Sequence, residues 1–389
     1  ELVVYAWGDA EVTGLATACP RPTLLEFSLA KQIVRIACAD GATLALTERG
    51  DVWFWGRTWL PQHEPDCEHP TQLPELRDVV SISTSPAGYF HGRSNQLERF
   101  GYNCAAVTRS GALYTWGFNM CGELLQQSRE VPRPRRVTGH FTDWRPLAER
   151  VQHVACGMNY IALCVQRADG DQHTTSVLSC GIFCQGTGAP HKLQEWPELN
   201  GIPLRQLVGG SFHCCALSTR GDLYTFGHEL GQDSSNGNLL GRGTRPTRER
   251  RHHPPQRVAV DGLGPIAEVS CSTYTTVAIT MDGRVFSWGD CDGNALGHAH
   301  SPCHAPHWLT ALRWQRVSHG ALSYTNAAVA TDEGRVFVWG GNAWEGGIAR
   351  RDDSNGVTEV HWGGVPSCYR CSSVALAHKH GYLIFRKQP

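Results

Sequence analysis

Two stretches of the chain hold cysteine and histidine at spacings that suit a metal ion. "CDGNALGHAHSPCHAPH" at 291–307 packs Cys291, His298, His300, Cys303, His304 and His307. "CYRCSSVALAHKH" at 368–380 sets Cys368 and Cys371 as C-x2-C, with His378 and His380 following after six intervening residues. Thiolate and imidazole donors so arranged are the donors of zinc sites. The other concentrated chemistry is positive charge. "RGTRPTRERRHHPP" at 242–255 sets Arg242, Arg245, Arg248, Arg250 and Arg251 against the single Glu249, and "REVPRPRR" at 129–136 is a smaller echo. Such clusters grip phosphates or an acidic protein. No aromatic ladder is interleaved with them, so stacking of single-stranded bases has no support. Bond-breaking chemistry has none either. The chain carries no Gly-rich phosphate loop, no H-E-x-x-H and no G-x-S-x-G. No catalytic residue, cofactor or small-molecule substrate is expected.

What positions these residues is a repeat. "GALYTWG" at 111–117 has near copies in "GDVWFWG" at 50–56, "GDLYTFG" at 221–227, "GRVFSWG" at 283–289 and "GRVFVWG" at 334–340. A small residue stands five positions before each opening glycine: Ala45, Ala106, Ala216, Ala278 and Val329. A fixed offset in five units is the mark of a repeat architecture. Two further units are degraded. "NYIALCV" at 159–165 leads, after a polar insertion, to "VLSCG", where Cys180 replaces the tryptophan. "SSVALAH" at 372–378 leads to "GYLIFRK", where Arg386 and Lys387 replace Trp-Gly. The N-terminal "VVYAWG" at 3–8 is a closing strand with no preceding strand of its own. A half-unit at one end and an incomplete unit at the other imply a closed circle, which removes sheet edges that would template aggregation.

From Gly8 to Gly340 the closing glycines are 48, 61, 64, 46, 62 and 51 residues apart. Between them lie short period-two strands, Gly turns and Pro-bearing connections, with almost no helical periodicity. The expected fold is all-β: a single seven-bladed β-propeller over 1–389, closed by pairing of the N- and C-terminal segments. In each unit Tyr114-like and Trp116-like residues share one side of a strand. Large aromatics would fill the wedge between blades, the small Ala of the adjacent strand would suit the crowded axis, and the glycine after Trp would permit positive φ or close backbone approach. Register then weighs against both metal readings. Cys371 falls near Cys38 and Cys271 at a strand end, His378 and His380 fall in a hairpin turn, and 291–307 reads as turn text. No metal site is expected.

Length and composition agree with a large-cored globular chain: 389 residues, 41% hydrophobic, 18% charged, net charge −1. Near-zero charge argues against wholesale electrostatic binding to nucleic acid or membrane. No apolar run reaches the 18 or more residues of a membrane span. Sixteen cysteines, mostly in apolar strand text, read as reduced, buried thiols of an intracellular protein. The expected setting is cytoplasmic or nuclear, or mitochondrial if a targeting segment was removed before Glu1.

"LRQLVGGSFHCCALSTRGDLYTFG" at 204–227, "IAEVSCSTYTTVAITMDGRVFSWGDCDGNALG" at 266–297 and "NCAAVTRSGALYTWGFNMCGELL" at 103–125 resemble the regulator-of-chromosome-condensation repeat. The resemblance covers essentially the whole chain. It implies the propeller, and it allows several functions: guanine nucleotide exchange on a small GTPase, chromatin docking, ultraviolet-B perception, and roles in ribosome assembly. The "GWRHT"-type string of the photoreceptor members is missing. His213 keeps the family's GxxH position.

Fold does not give function. The expected function is a non-catalytic interaction scaffold that binds a protein or ribonucleoprotein partner through loops between blades. One alternative is a guanine nucleotide exchange factor for a small GTPase, which would use Asp290, Asp292, Asn119, Glu123 and Asn342 on loops after the closing glycines. It would also use an insertion at 84–100 that carries Tyr89, Phe90 and His91 at its apex. The other is a nucleic-acid contact, to RNA or chromatin, through the arginines of 242–253.

Overall fold

The computed structural model describes residues 1–15, 17–26, 28–39, 41–57, 67–86, 89–91, 97–99, 102–138, 150–169, 172–181, 193–228, 239–243, 252–259, 262–289, 295–298, 303–340, 356–360, 363–377 and 380–388. They form seven antiparallel sheets of four strands each, the blades of a propeller. In chain order, blade one runs over 33–72, blade two over 79–136, blade three over 150–195, blade four over 204–257, blade five over 266–308 and blade six over 317–359. Blade seven joins Tyr369–Leu376 and His380–Lys387 to Leu2–Gly8 and Cys19–Leu24. Leu2–Gly8 pairs with the C-terminal strand without interruption, from Leu2 opposite Arg386 to Gly8 opposite His380. The missing Trp-Gly of the last unit is therefore Trp7-Gly8, as the sequence requires.

Each blade has four strands rather than the two or three that the repeat text suggests. The Ala-bearing strand is the second from the axis, not beside it. Nearest the axis lie Ile33–Ala39, Val79–Thr84, Arg150–Gly157, Leu204–Gly209, Ile266–Cys271, Val317–Leu322 and Tyr369–Leu376, each packed on the next around a closed ring. Side chains of one inner strand are stitched to the backbone of its neighbour. Ser83 Oγ accepts from Cys156 N at 3.0 Å, Gln206 Nε2 donates to Val269 O at 2.9 Å and Ser270 Oγ accepts from Leu322 N at 3.2 Å. These bonds satisfy polar backbone that a twisted blade leaves open toward its neighbour.

Between blades sit the aromatic residues of the repeat. Trp7, Trp55, Trp116 and Trp288 are almost wholly buried. At about 25 cal/mol per Å2, a ring of about 200 Å2 contributes several kcal/mol to folding. The indoles also fasten loops. Trp288 Nε1 donates to Leu239 O at 3.2 Å and Trp339 Nε1 to Ala295 O at 2.8 Å, each carbonyl belonging to the loop after the closing strand of the preceding blade. Cys180, at the degenerate position of blade three, reaches the equivalent loop of blade two through Sγ–H to Gly122 O at 3.1 Å. The glycine after the tryptophan is a steric necessity. At Gly117, φ is +105° and a Cβ would collide with the carbonyl of Tyr102.

Three placements differ from the sequence reading. The basic tract at 129–136 is not a connection: Glu130–Arg136 is the outer strand of blade two, with Arg133, Arg135 and Arg136 exposed. Likewise His252–Arg257, at the end of the larger tract, is the outer strand of blade four. Its prolines fit there because an outer strand leaves one edge unpaired. In the insertion of blade two, Tyr89–His91 is the first strand of a two-stranded hairpin with Leu97–Arg99, not its apex.

Candidate functional site

In an antiparallel four-stranded blade, one face of the ring collects the end of the first strand, the start of the second, the end of the third and the start of the fourth. The hairpin of blade two, inserted between Val79–Thr84 and Asn103–Thr108, opens on that face. So do the connections at 229–251, between Leu223–His228 and His252–Arg257, and at 290–302, between Val285–Gly289 and Cys303–Trp308. Nearly all candidate contact segments thus share one face. Asp290, Asp292, Arg245, Arg248, Arg250, Arg251 and Asn342 lie outside the described residues, as do the side chains of Tyr89, Phe90 and His91.

The candidate loop residues that are described are occupied in holding their loops. Arg242 donates through Nη2 to the carbonyl of Thr225 and to Pro254 O at 2.7 Å, which ties its loop to two strands of blade four. Asn119 is buried. Its Nδ2 donates to Gln126 O at 2.9 Å and Ser128 O at 2.8 Å, and its Oδ1 accepts from Leu124 N at 2.9 Å. Glu123 is buried too and accepts from Met120 N at 3.1 Å and Cys121 N at 2.6 Å. Burial raises its pKa, and those backbone bonds pull it back.

The neither-repeat nor-loop residues of interest line the axis. The residue just past the bulge of the inner strand is Arg35, Ser81, His153, Gln206, Glu268, His319 and Ser373 in blades one to seven. Glu268 Oε2 meets His319 Nδ1 at 2.8 Å. Burial lowers the His319 pKa, but the hydrogen bond and charge of Glu268, with Asp332 behind, outweigh it and leave the pKa raised. Burial lowers the pKa of Arg35, which the charge of Glu268 partly restores. Burial also lowers that of His153, against its bond to Leu204 O and with Arg35 adding to the fall. Blades one, three and five are not neighbours, so these charges interact across the axis. In six blades the layer was legible as "two residues after the first apolar residue of the strand", a register that the repeat text did not single out; in blade seven the bulge falls two residues later, at Ser373.

His213, the family-position histidine, is fully buried between blades four and five, where Nε2 meets Thr276 Oγ1 at 2.8 Å. It is not alone in that role. His380 opens the strand His380–Lys387 rather than lying in a turn, and its Nε2 meets Thr43 Oγ1 at 3.1 Å between blades seven and one. Tyr382 OH completes this second clasp, 3.1 Å from Thr43 Oγ1 and 3.0 Å from Trp55 Nε1. Both histidines are buried and bridge neighbouring blades.

The two cysteine–histidine stretches fare differently from each other. The rings of His298 and His307 lie 4.4 Å apart, while Cys303 Sγ–H turns to Ala305 O at 3.0 Å; Cys291 and His300 lie outside the described residues. In the other stretch Cys368 is exposed, Cys371 is buried on the inner strand and His380 is engaged with Thr43; His378 lies outside the described residues.

No protein-family model matches the chain. Among curated proteins, human E3 ubiquitin-protein ligase HERC2 is 24% identical over 368 residues, covering 92% of this chain. The chain spans only 7% of that relative's length. The solved structure of human WBSCR16 superposes with a TM-score of 0.73 at 19% identity, over 100% of this chain and 99% of the other. Prp20p from Saccharomyces cerevisiae, solved in a study of its binding to Gsp1p and histones, gives 0.70 at 18% identity, over 100% and 92%. The chain is a seven-bladed propeller whose relatives and structural neighbours include proteins of the regulator-of-chromosome-condensation repeat. In this propeller the strands and inter-blade tryptophans build the ring, and the inserted hairpin, the long connections of blades four and five and the polar layer at the axis lie outside that repeat. Among the described residues no helix is long and apolar enough to cross a membrane.

Proposed function

We infer that the chain is a non-catalytic scaffold that holds a protein or ribonucleoprotein partner on the face where the hairpin of blade two and the connections of blades four and five emerge. The observation that carries this reading is the use of Asn119, Glu123 and Arg242 inside their own loops. Polar groups so committed give a loop a fixed shape, which favours recognition of a preformed surface. Nothing among them is left to activate a nucleophile or move a proton. The binding of Gsp1p and histones by Prp20p supports a protein partner, and the free thiols of the described cysteines support an intracellular setting.

The test is capture of a partner from the protein's own cell by the full chain, by a variant carrying Asp290→Lys and Asp292→Lys, and by Trp314→Ala on the opposite face. Loss of the partner in the first variant and its retention in the second is expected. The reverse pattern overturns the choice of face.

A second reading, guanine nucleotide exchange on a small GTPase, is favoured by the two-stranded hairpin Tyr89–His91 and Leu97–Arg99 inserted in blade two, since an extra two-stranded element on a binding face can enter a partner's cleft. It requires that removing the hairpin abolish accelerated nucleotide release.

A further inference from the structure

One cluster of soft donors surrounds the clasp of His213 with Thr276. We propose that His213, Cys215 and Cys271 form a zinc-binding site buried between blades four and five. His213 and Cys215 lie two apart on His213–Ser218, the second strand of blade four, so both project from the same side of the sheet. Cys271 ends the inner strand of blade five and faces them. One ligand atom from each lies within 4.8 Å of the others, and all three residues are buried.

Bond lengths of about 2.3 Å for Zn–S and about 2.0 Å for Zn–N put ligand atoms roughly 3.5–3.8 Å apart around a tetrahedral ion. Closing the cluster on a metal therefore needs a contraction of at most about 1.3 Å. Thr276 Oγ1, 2.8 Å from His213 Nε2 and 4.0 Å from Cys271 Sγ, is a fourth polar atom in the cluster.

The sister clasp between blades seven and one explains why this boundary differs. There the same register holds His380, Thr43 and Cys38, with Tyr382 in the place of Cys215. Tyr382 OH is spent on Thr43 and Trp55. In blade four a second thiol replaces the phenol, and a hydrogen-bonded clasp becomes a set of one imidazole and two sulfurs. Charge selects the ion. Two thiolates and a neutral imidazole exactly offset a divalent cation, so a dry site acquires no net charge, and two protons leave on binding. Sulfur and imidazole donors together select zinc over magnesium or calcium.

The test uses the full chain, stripped of metal under reducing conditions and offered one molar equivalent of Zn2+ or Co2+ alone. About one zinc per chain should survive desalting, and Co2+ should give a thiolate charge-transfer band. Cys215→Ser and Cys271→Ser should each weaken retention by more than about tenfold. Cys214→Ser, on the other side of the same strand, and Cys38→Ser, in the sister clasp, should retain the ion. No retained zinc, retention unchanged in Cys215→Ser and Cys271→Ser, or a Cys215–Cys271 disulfide found by peptide mapping overturns the proposal. The Co2+ band is read on the unaltered chain, so it decides the matter even if a serine variant fails to fold.

Discussion

Replacing Tyr382 with Phe removes one oxygen from the seam that closes the ring, and its cost can be worked from two distances. Tyr382 OH lies 3.0 Å from Trp55 Nε1 and 3.1 Å from Thr43 Oγ1, and all three residues are buried. Thr43 keeps His380 as a partner in the variant, 3.1 Å away. Trp55 loses its acceptor, and a buried N–H left unpaired costs about 1–3 kcal/mol. With the smaller loss at Thr43, the expected destabilisation is about 2–3 kcal/mol. An unfolding entropy of about 2.1 cal/mol/K per residue gives roughly 0.8 kcal/mol/K for 389 residues. The melting midpoint should then fall by about 3 °C. The assay is denaturant titration followed by tryptophan fluorescence, with thermal melts alongside. Tyr114→Phe, on a half-buried face of blade two, serves as the control and should stay within about 0.5 kcal/mol of the parent. Equal effects of the two substitutions would refute the reasoning, because the closing seam would then draw nothing from its buried phenol.

Three further outcomes follow from the same geometry. Arg242→Ala should lower stability by about 1–3 kcal/mol by freeing the carbonyls of Thr225 and Pro254, and should leave the salt dependence of any RNA binding unchanged; a triple Arg248→Ala, Arg250→Ala, Arg251→Ala variant should flatten that dependence if this tract meets nucleic acid. The raised pKa of His319 makes its contribution fully present below the ordinary 6.5 and progressively lost as pH rises through the folded-state value, so stability should decline on the alkaline side and His319→Gln should remove that decline, as measured by denaturant midpoints across pH. Gly117→Ala, forced against the Tyr102 carbonyl at φ +105°, should destabilise by at least about 1 kcal/mol, whereas alanine at Gly201, where nothing lies within 4 Å of the added carbon, pays only for its positive φ.

The ring was legible in the sequence because its strongest signal is short-range. Five copies of Gly-x-aliphatic-aromatic-x-Trp-Gly, one with Phe226 for Trp, at a fixed offset from Ala or Val fix the second and third strands of their blades, and the lone "VVYAWG" fixes the closure. The inner strands were harder to place. Each carries a bulge, such as that between Ile266 and Glu268, which breaks the period-two text and hides the polar layer at the axis. The outer strands read as connections because their arginines and prolines, as in Glu130–Arg136, are not strand-like except at an edge. The clasp of His213 with Thr276 spans 63 residues and two blades, so no local pattern announces it. Sequence reasoning looked for metal donors close in the chain, at 291–307 and 368–380, and passed over Cys215 and Cys271, which only the packing of blade four on blade five brings together.

The central claim is that this propeller binds without catalysing. It is tested most directly by the release of a fluorescent guanine nucleotide from purified small GTPases of the protein's own cell, at saturating concentrations of the full chain. The account predicts release at the intrinsic rate of each GTPase, with and without the hairpin of blade two. Acceleration that disappears when the hairpin is removed would contradict it and establish the exchange-factor reading in its place.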